Sequence, residues 1–151
     1  MYYQTQNFVY NRTFMDNLLK AFSTIPAAKL IATPTLCLLT GSPPNITPDT
    51  LLSDLAAAKA NFSGYVDGTP PLTVPVRLSS GAEAAIGSST FVATTASPFV
   101  SNVIVGYYLT DGTNLVGGEL FPSGTVLPIA FAGDFVEIDL VLPGACYQAA
   151  S

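Results

Sequence analysis

The stretch from residue 102 to residue 121 constrains the fold of this chain more than any other part. Two runs rich in β-branched and aromatic residues, 102–110 and 114–121, flank the dipeptide Asp111-Gly112. Asp-Gly between two apolar runs is the strongest short-range signal for a β-hairpin, because both residues tolerate the positive φ of a tight hairpin turn. The sequence therefore predicts two antiparallel strands joined at this dipeptide.

The first strand of this hairpin is apolar on both of its faces. Strict alternation puts Val105, Tyr107 and Leu109 on one face, and Ile104 and Tyr108 on the other. A half-buried strand alternates apolar with polar residues, whereas a strand covered on both sides is apolar throughout. We therefore expect this strand to lie between two layers of the protein.

The rest of the chain predicts short strands separated by turns rich in Gly, Pro, Ser and Asp. The clearest is 135–142, where apolar residues alternate with Glu137 and Asp139. Two short helices are predicted, one with Thr13 and one with Thr47 as its N-cap. The other predicted strands are 30–40, 73–78, 84–87, 89–95 and 126–131. The pattern predicts a mainly β fold: a single antiparallel β-sandwich or jelly-roll-like domain with an N-terminal arm and one or two short helices.

Residues 1–26 are predicted to form an arm and a short helix, followed by a β-sandwich domain over residues 27–151. Residues 1–12 are polar and aromatic, and no turn residue interrupts them. Tyrosine is enriched at interfaces because it combines a large contact area with a polar group. We predict an interface with other subunits formed by aromatic residues of this region: Tyr2, Tyr3, Phe8, Tyr10 and Phe14. The alternative is that residues 1–12 form a first strand that folds onto the body.

The composition favours a protein that is covered by partners. Hydrophobic residues make up 49% of the chain and charged residues 10%, whereas an ordinary domain has about a quarter of its residues charged. Large exposed apolar areas usually mark interaction sites. Residues 61–151 carry seven acidic groups and one arginine, so nucleic acid is not expected as a partner, because binding it requires Lys and Arg. No apolar run approaches the roughly 20 residues that span a bilayer, so no membrane association is expected.

Candidate catalytic residues are scarce, because the sequence contains no histidine. Hydrolase sites with a histidine base and most zinc sites are therefore excluded. The acids Asp134, Glu137 and Asp139 lack the spacing of a calcium loop, and we interpret them as a solvated or partner-facing strand face. Cys37 and Cys146 are interpreted as buried free thiols, with a disulfide bond between them as the alternative. We predict no catalytic residue, no cofactor and no metal.

Two parts of the chain contain packing and turn residues in a characteristic order. A strand ending in Leu38-Leu39-Thr40 is followed by Thr50-Leu51-Leu52-Ser53-Asp54-Leu55 and then by Gly64-Tyr65. Later runs are Gly106-Tyr107-Tyr108 and Glu119-Leu120-Phe121. This order, over residues 36–65 and 103–121, resembles that of small structural proteins of tailed bacteriophages. The chain departs from that pattern at Leu39, where an aromatic residue is expected, and at Ala57-Ala58-Lys59, where acids are usual.

The resemblance implies a virion component, either a capsid decoration (cement) protein or a head or tail appendage. Its expected partners are the major capsid protein or other virion subunits, and further copies of itself as a homo-oligomer. No secretion signal is recognisable at the N-terminus, which fits assembly in the host cytoplasm. The alternative is a carbohydrate- or receptor-binding β-sandwich module of a phage tail or head fibre, in which exposed Tyr65, Tyr107 or Tyr108 would stack on sugars.

Overall fold

The computed structural model describes residues 1–20, 33–73, 76–77 and 83–143. Within these ranges the chain forms nine strands and two helices. The helices are α1 (Arg12–Lys20) and α2 (Leu52–Ala56). The strands are β1 (Tyr2–Gln4), β2 (Val9–Tyr10), β3 (Thr35–Thr40), β4 (Val76–Arg77), β5 (Glu83–Val92), β6 (Asn102–Thr110), β7 (Leu115–Leu120), β8 (Leu127–Ile129) and β9 (Phe135–Pro143).

The strands form two sheets that share one core, which confirms the predicted β-sandwich. The first sheet has the order β1-β9-β5-β4, and the second has the order β2-β7-β6-β3 with β8 also paired to β6. Among the described strands β1 is parallel to β9, and the other pairs are antiparallel. Leu38 and Tyr107 of the second sheet join Ile138 and Leu140 of the first sheet in one buried apolar cluster.

A loop and helix α2 cover the other face of the second sheet. Cys37, Leu39 and Tyr108 belong to a second buried cluster, which Leu55 of α2 completes. Burial of apolar side chains stabilises a fold by roughly 25 cal/mol for each Å² removed from water. β6 therefore lies between the first sheet and the segment that contains α2, as its two apolar faces predicted.

A bulge at Val105 breaks the alternation of side chains along β6. Leu39 pairs with Gly106 and Thr40 pairs with Ile104, so Val105 is an extra residue opposite β3. An extra residue exchanges the faces on which the residues before it point. Ile104 therefore lies in the core between the sheets, and Val105 packs against the second cluster. The face predicted for Ile104 and Val105 by strict alternation is wrong for this reason.

The predicted hairpin is formed by β6 and β7, with a loop of residues 111–114. The Oδ1 atom of Asp111 accepts hydrogen bonds from the N–H groups of Thr113 at 2.9 Å and Asn114 at 2.7 Å. Gly112 has a φ of 95°, which a residue with a side chain rarely adopts. The loop is longer than the Asp-Gly dipeptide alone, because Asp111 fixes the two residues after Gly112 as well.

Several strand boundaries differ from the predicted ones. The predicted strands 84–87 and 89–95 are a single strand, β5, because Ser88 continues the ladder opposite Asp139 of β9. β8 covers only the centre of the predicted strand 126–131. Of the predicted strand 73–78, β4 contains Val76 and Arg77, and part of the remainder lies outside the described residues.

Residues 1–11, which we call the N-terminal crossover, run from the first sheet to the second. Tyr3 pairs with Ile138 of β9, and Val9 pairs with Gly118 of β7. The chain start is thus a strand segment folded onto the body, which is the alternative that the sequence left open. The predicted boundary between residues 26 and 27 falls outside the described residues.

Both helices begin at residues other than those predicted. The Oδ1 atom of Asn11, rather than the hydroxyl of Thr13, accepts the N–H of Phe14 at 3.2 Å and caps α1.

The second predicted cap, Thr47, closes a separate turn, in which the N–H of Thr50 donates to the Thr47 carbonyl at 3.1 Å. The helix starts only after this turn, where the Asp54 carboxylate accepts the N–H of Leu51 at 2.8 Å. The predicted caps are wrong because a nearby Asn or Asp satisfies the free N–H groups at a different position.

The outer edge of β3 is covered by residues 58–68. Leu36 and Gly68 exchange two backbone hydrogen bonds of 2.8 and 2.9 Å. The Tyr65 hydroxyl accepts the N–H of Leu38 at 3.0 Å, and the carbonyl of Ala58 accepts the N–H of Thr40 at 2.8 Å. The backbone of β3 is therefore paired along both of its edges.

Candidate interaction surfaces

A buried carboxylate fastens the N-terminal crossover to the second sheet. Glu119 of β7 is 1% exposed. Its Oε1 atom accepts hydrogen bonds from the Tyr3 hydroxyl at 2.6 Å and from the N–H of Asn7 at 2.8 Å. Its Oε2 atom accepts one from the Tyr107 hydroxyl at 2.9 Å, and the N–H of Gln6 lies 3.2 Å from both oxygens. These four donors replace the water that burial removes from the carboxylate.

The five aromatic residues predicted at an interface occupy different environments. Tyr3 and Phe14 lie in the core between the sheets, where they are 5% and 7% exposed. Phe8 and Tyr10 are partly buried and pack against the same core. Tyr2 is 56% exposed, and its hydroxyl donates to the Asp139 carboxylate. Tyr2 is thus the member of the set with the most surface left for a partner in this conformation.

Exposed apolar side chains gather at the end of the sandwich where β5 leads to β6 and β8 leads to β9. Val92 and Phe135 are cross-strand partners there, and both are exposed. Phe131 is 73% exposed in the turn between β8 and β9, and the next glycine of that turn, Gly133, donates its N–H to the Ala93 carbonyl at 2.9 Å. We call this surface the loop-end patch, and its members are Val92, Val100, Phe131 and Phe135.

A cavity of about 460 Å³ adjoins Phe131 at this end. It is lined by uncharged residues: Thr95, Ala96, Phe99, Ser101, Ala130, Phe131 and Ala132. The sequence carries no charged residue between Glu83 and Asp111, and this stretch contains the β5–β6 loop. The side chains of the loop-end patch are therefore apolar, and the charged groups beside them are the Asp134 carboxylate and the N-terminal ammonium group, which donates to the Phe135 carbonyl at 3.3 Å.

Asp134 holds the turn that presents Phe131. Its Oδ2 atom accepts the N–H of Ala130 at 2.8 Å and the N–H of Phe131 at 2.9 Å. These backbone hydrogen bonds lower the pKa of the Asp134 carboxyl below its ordinary value. The Asp134 carboxylate therefore stabilises the turn and fixes the position of the exposed Phe131 ring.

The sequence pattern did not predict the loop-end patch. Phe131 falls inside the predicted strand 126–131, whereas β8 ends at Ile129. Phe135 carried a usable signal, because alternation along β9 places it on the same face as Glu137 and Asp139. An aromatic residue on an otherwise acidic face is a candidate for contact with a partner.

The tyrosines predicted to stack on sugars are not at the surface. Tyr107 is fully buried, Tyr108 is buried in the second cluster, and Tyr65 is partly buried between Phe62 and Phe91. Burial is the main reason that the pKa of each of these hydroxyls is raised. The carbohydrate-binding alternative predicted that these tyrosines are exposed. This prediction is wrong, because apolar neighbours bury Tyr107 and Tyr108 and partly bury Tyr65.

Cys37 is a buried free thiol on β3. Burial raises its pKa to about 11, so the nucleophilic thiolate is disfavoured. Cys146 lies outside the described residues.

The acids Glu137 and Asp139 are partly buried on the outer face of the first sheet, where alternation along β9 placed them. Over the ranges that the structure describes, no three His, Cys, Asp or Glu residues come together as a metal site requires. No helix in the same ranges is long and apolar enough to cross a membrane.

Comparisons with protein-family models, with curated proteins and with solved structures gave no significant match. We therefore infer function from the exposed surfaces and the chemistry of their residues.

Proposed function

We propose that this chain is a non-enzymatic structural protein of a tailed-bacteriophage virion. Its role is that of a capsid decoration (cement) protein, which stabilises the shell by contacts with neighbouring subunits. Its partners are the major capsid protein or other virion subunits together with further copies of itself, and assembly takes place in the host cytoplasm. The resemblance of residues 36–65 and 103–121 to phage structural proteins supports this location.

The observation that carries the proposal is the loop-end patch. Phe131 is 73% exposed, and Phe135, Val92 and Val100 at the same end are exposed as well. Exposed apolar side chains gathered at one end of a folded β-sandwich are typical of a surface that a partner covers. Aromatic residues are enriched in the central part of such interfaces.

The alternative of a carbohydrate- or receptor-binding module of a tail or head fibre receives less support. Of the rings that would have stacked on sugars, Tyr107 and Tyr108 are buried, and Tyr65 is partly buried. Sugar binding needs hydrogen-bonding groups beside an exposed ring, and the lining of the cavity at Phe131 offers the side-chain hydroxyls of Thr95 and Ser101 but no amide or charged side chain.

A first experiment asks where the native protein is found. Particles are purified from the host by density gradient, and the chain is quantified against the major capsid protein by mass spectrometry. We expect a fixed stoichiometry with the capsid protein across the gradient. A chain that stays at the top of the gradient with free proteins contradicts the proposal.

A second experiment tests the loop-end patch. Purified chain is added to particles that lack it, and occupancy is measured after sedimentation. Phe131→Ser is expected to weaken binding about 30-fold or more, because truncating a central aromatic residue of an interface costs about 2 kcal/mol or more.

The matched control is Leu51→Ser, because Leu51 is 60% exposed and precedes α2, which packs on the second cluster and shares no residue with the patch. We expect this variant to bind as the unchanged chain does, and circular dichroism checks that both variants fold. Equal binding by the two variants would show that the loop-end patch is not the contact surface.

A further inference from the structure

A groove of about 400 Å³ crosses the outer face of the first sheet. Its floor is formed by Ile86, Ser88, Asp139 and Val141 on β5 and β9, and Gln4 of β1 lies at one side. The segment of Pro71 and Thr73 lies at the other side. The groove is separate from the loop-end patch, and no residue belongs to both.

The groove walls are held in place by backbone contacts. The N–H of Thr73 donates to the Ile86 carbonyl at 2.9 Å, and the N–H of Ile86 donates to the Thr73 hydroxyl at 3.2 Å. A Cβ at Gly87 would lie 3.2 Å from the Pro71 carbonyl oxygen, so glycine lets this wall approach β5 closely. The groove is thus a preformed feature of the sheet and the segment beside it.

Asp139 is fixed in position at the polar side of the groove. Its carbonyl accepts the N–H of Thr5 at 2.9 Å, and the N–H of Val141 donates to the Thr5 hydroxyl at 3.2 Å. The Asp139 carboxylate accepts the Tyr2 hydroxyl through Oδ2, and none of the described hydrogen bonds uses Oδ1. One carboxylate oxygen is therefore available to a ligand.

The two sides of the groove differ in chemistry. Gln4, Ser88 and Asp139 offer an amide, a hydroxyl and a carboxylate, whereas Pro71, Ile86 and Val141 offer apolar surface. None of the described lining residues is a lysine or an arginine, so the groove has no group that would neutralise an anion. A ligand that fits both sides combines a cation with an aliphatic stem, as the side chain of lysine does.

We propose that this groove binds a basic segment of a partner protein, with a lysine side chain laid across it. The methylene groups of the lysine cover Ile86 and Val141, and its ammonium group reaches Oδ1 of Asp139 and the side-chain oxygen of Gln4. Charge complementarity favours this occupant, because residues 61–151 carry seven acids and one arginine. In the particle proposed above the segment belongs to a neighbouring subunit, but the binding chemistry is testable without particles.

The test is a titration of the ¹⁵N-labelled chain with the blocked tripeptide acetyl-Val-Lys-Val-amide, followed by NMR. We expect saturable shifts of the amide signals of Gln4, Ser88 and Val141, with a dissociation constant of about 1 mM, as expected of a short ligand with one ion pair. The peptide with norleucine in place of lysine keeps the stem and removes the charge. We expect it to bind about twofold to fivefold more weakly, since an ion pair of this kind is worth up to about 1 kcal/mol.

Asp139→Asn tests the residue directly. Asparagine keeps a side-chain oxygen for the Tyr2 hydroxyl and removes the charge, so the fold is retained while lysine-peptide binding falls by the same factor as with norleucine. Glu137→Gln is the matched control, because Glu137 lies on the same face but does not line the groove.

Three results would overturn the proposal: no saturable shift at the groove, equal binding of the lysine and norleucine peptides, or equal loss in Glu137→Gln and Asp139→Asn. Saturable shifts with a neutral disaccharide but not with the lysine peptide would indicate that the groove binds a sugar and not a basic segment. These outcomes are independent of whether the chain is found on particles, so failure of the groove and failure of the proposed function are distinguishable.

Discussion

Glu119 accepts hydrogen bonds from two tyrosine hydroxyls and two backbone N–H groups, all from inside the protein. Neither of the ion pairs found among the described residues involves it. A carboxylate removed from water is destabilising unless donors satisfy it, and those donors are in turn left unsatisfied if the carboxylate is removed. A single side chain of β7 thus connects Tyr3, Gln6 and Asn7 to the second sheet.

Replacing this side chain is therefore expected to be costly. We predict that Glu119→Ala lowers the free energy of unfolding by about 3 kcal/mol or more, because it leaves several buried donors unsatisfied and each costs about 1–3 kcal/mol. Glu137→Ala, on the outer face of the first sheet, should change it by about 0.5 kcal/mol or less. Urea denaturation followed by circular dichroism measures both. Similar midpoints for the two variants would contradict the role assigned to Glu119.

This network could not be predicted from the sequence, although β7 itself was. The partners of Glu119 include Tyr3, Gln6 and Asn7, which are more than 100 positions away along the chain. A Glu in an apolar run, such as Leu-Val-Gly-Gly-Glu-Leu, is a usable signal that a buried acid needs donors. The pattern does not say which distant donors will meet it, because that depends on the packing of the whole sandwich.

At the scale of elements, the N-terminal crossover is part of both sheets. β1 adds a strand to the first sheet and β2 adds a strand to the second. Tyr3 packs against Phe121, with their ring centroids 4.1 Å apart. The crossover therefore contributes to the core, in addition to any contact that Tyr2 makes with a partner.

Removing part of the crossover should unfold the protein. Deletion of residues 1–7 removes the buried ring of Tyr3 and three of the four donors to Glu119. Loss of a buried aromatic side chain alone costs about 3–5 kcal/mol, and a domain is stable by only about 5–15 kcal/mol. We predict that the truncated chain is largely unfolded by circular dichroism, whereas Tyr2→Ser melts within a few degrees of the unchanged chain. A folded truncated chain would instead support a detachable arm.

The turn that presents Phe131 should weaken in acid. The pKa of Asp134 is lowered from its ordinary value of 3.8 by hydrogen bonds from Ala130 and Phe131. A lowered pKa contributes stability above the unfolded value, and this stability is lost as the pH falls through the folded pKa. We predict that the unchanged chain melts above Asp134→Asn near neutral pH and that the difference shrinks below about pH 3.8. A difference in melting temperature that stays constant as the pH is lowered well below 3.8 would contradict the prediction.

The elements were predicted more reliably than their ends. The long strands β6 and β9 follow the predicted runs closely, because apolar periodicity over eight or nine residues is a strong signal. The helix starts at Asn11 and Leu51 were missed, because several polar residues nearby can cap and the local sequence does not choose among them. The bulge at Val105 was missed for a similar reason, since the pattern carries no mark of an extra residue.

At the scale of the whole molecule, buried tyrosines contribute to both apolar clusters. Tyr3 and Tyr107 lie in the core between the sheets, and Tyr108 lies in the cluster beneath α2. Tyr65 packs against Phe62 and Phe91, and its hydroxyl accepts the N–H of Leu38. Burial raises the pKa of all four hydroxyls above the ordinary value of 10.0.

The raised pKa of these hydroxyls predicts that the folded state loses stability at alkaline pH. The four tyrosines contribute stability that is fully present below their unfolded pKa near 10 and is lost as the pH rises toward their folded pKa. We predict that these four tyrosines ionise in one cooperative alkaline transition, in which the tyrosinate absorbance that they contribute at about 295 nm and the near-ultraviolet circular dichroism change together. Gradual ionisation of all the tyrosines near pH 10 with an unchanged dichroism spectrum would contradict the burial of these rings.

The paired outer edge of β3 has a consequence for how copies of this protein can join. A sheet with an open long edge can accept a strand from another molecule and so extend without limit. Here Gly68, Tyr65 and Ala58 already occupy the groups of β3 that would template such growth. Strand addition is therefore blocked along this edge of the second sheet, and another copy that approaches β3 meets paired backbone and must bind through side chains.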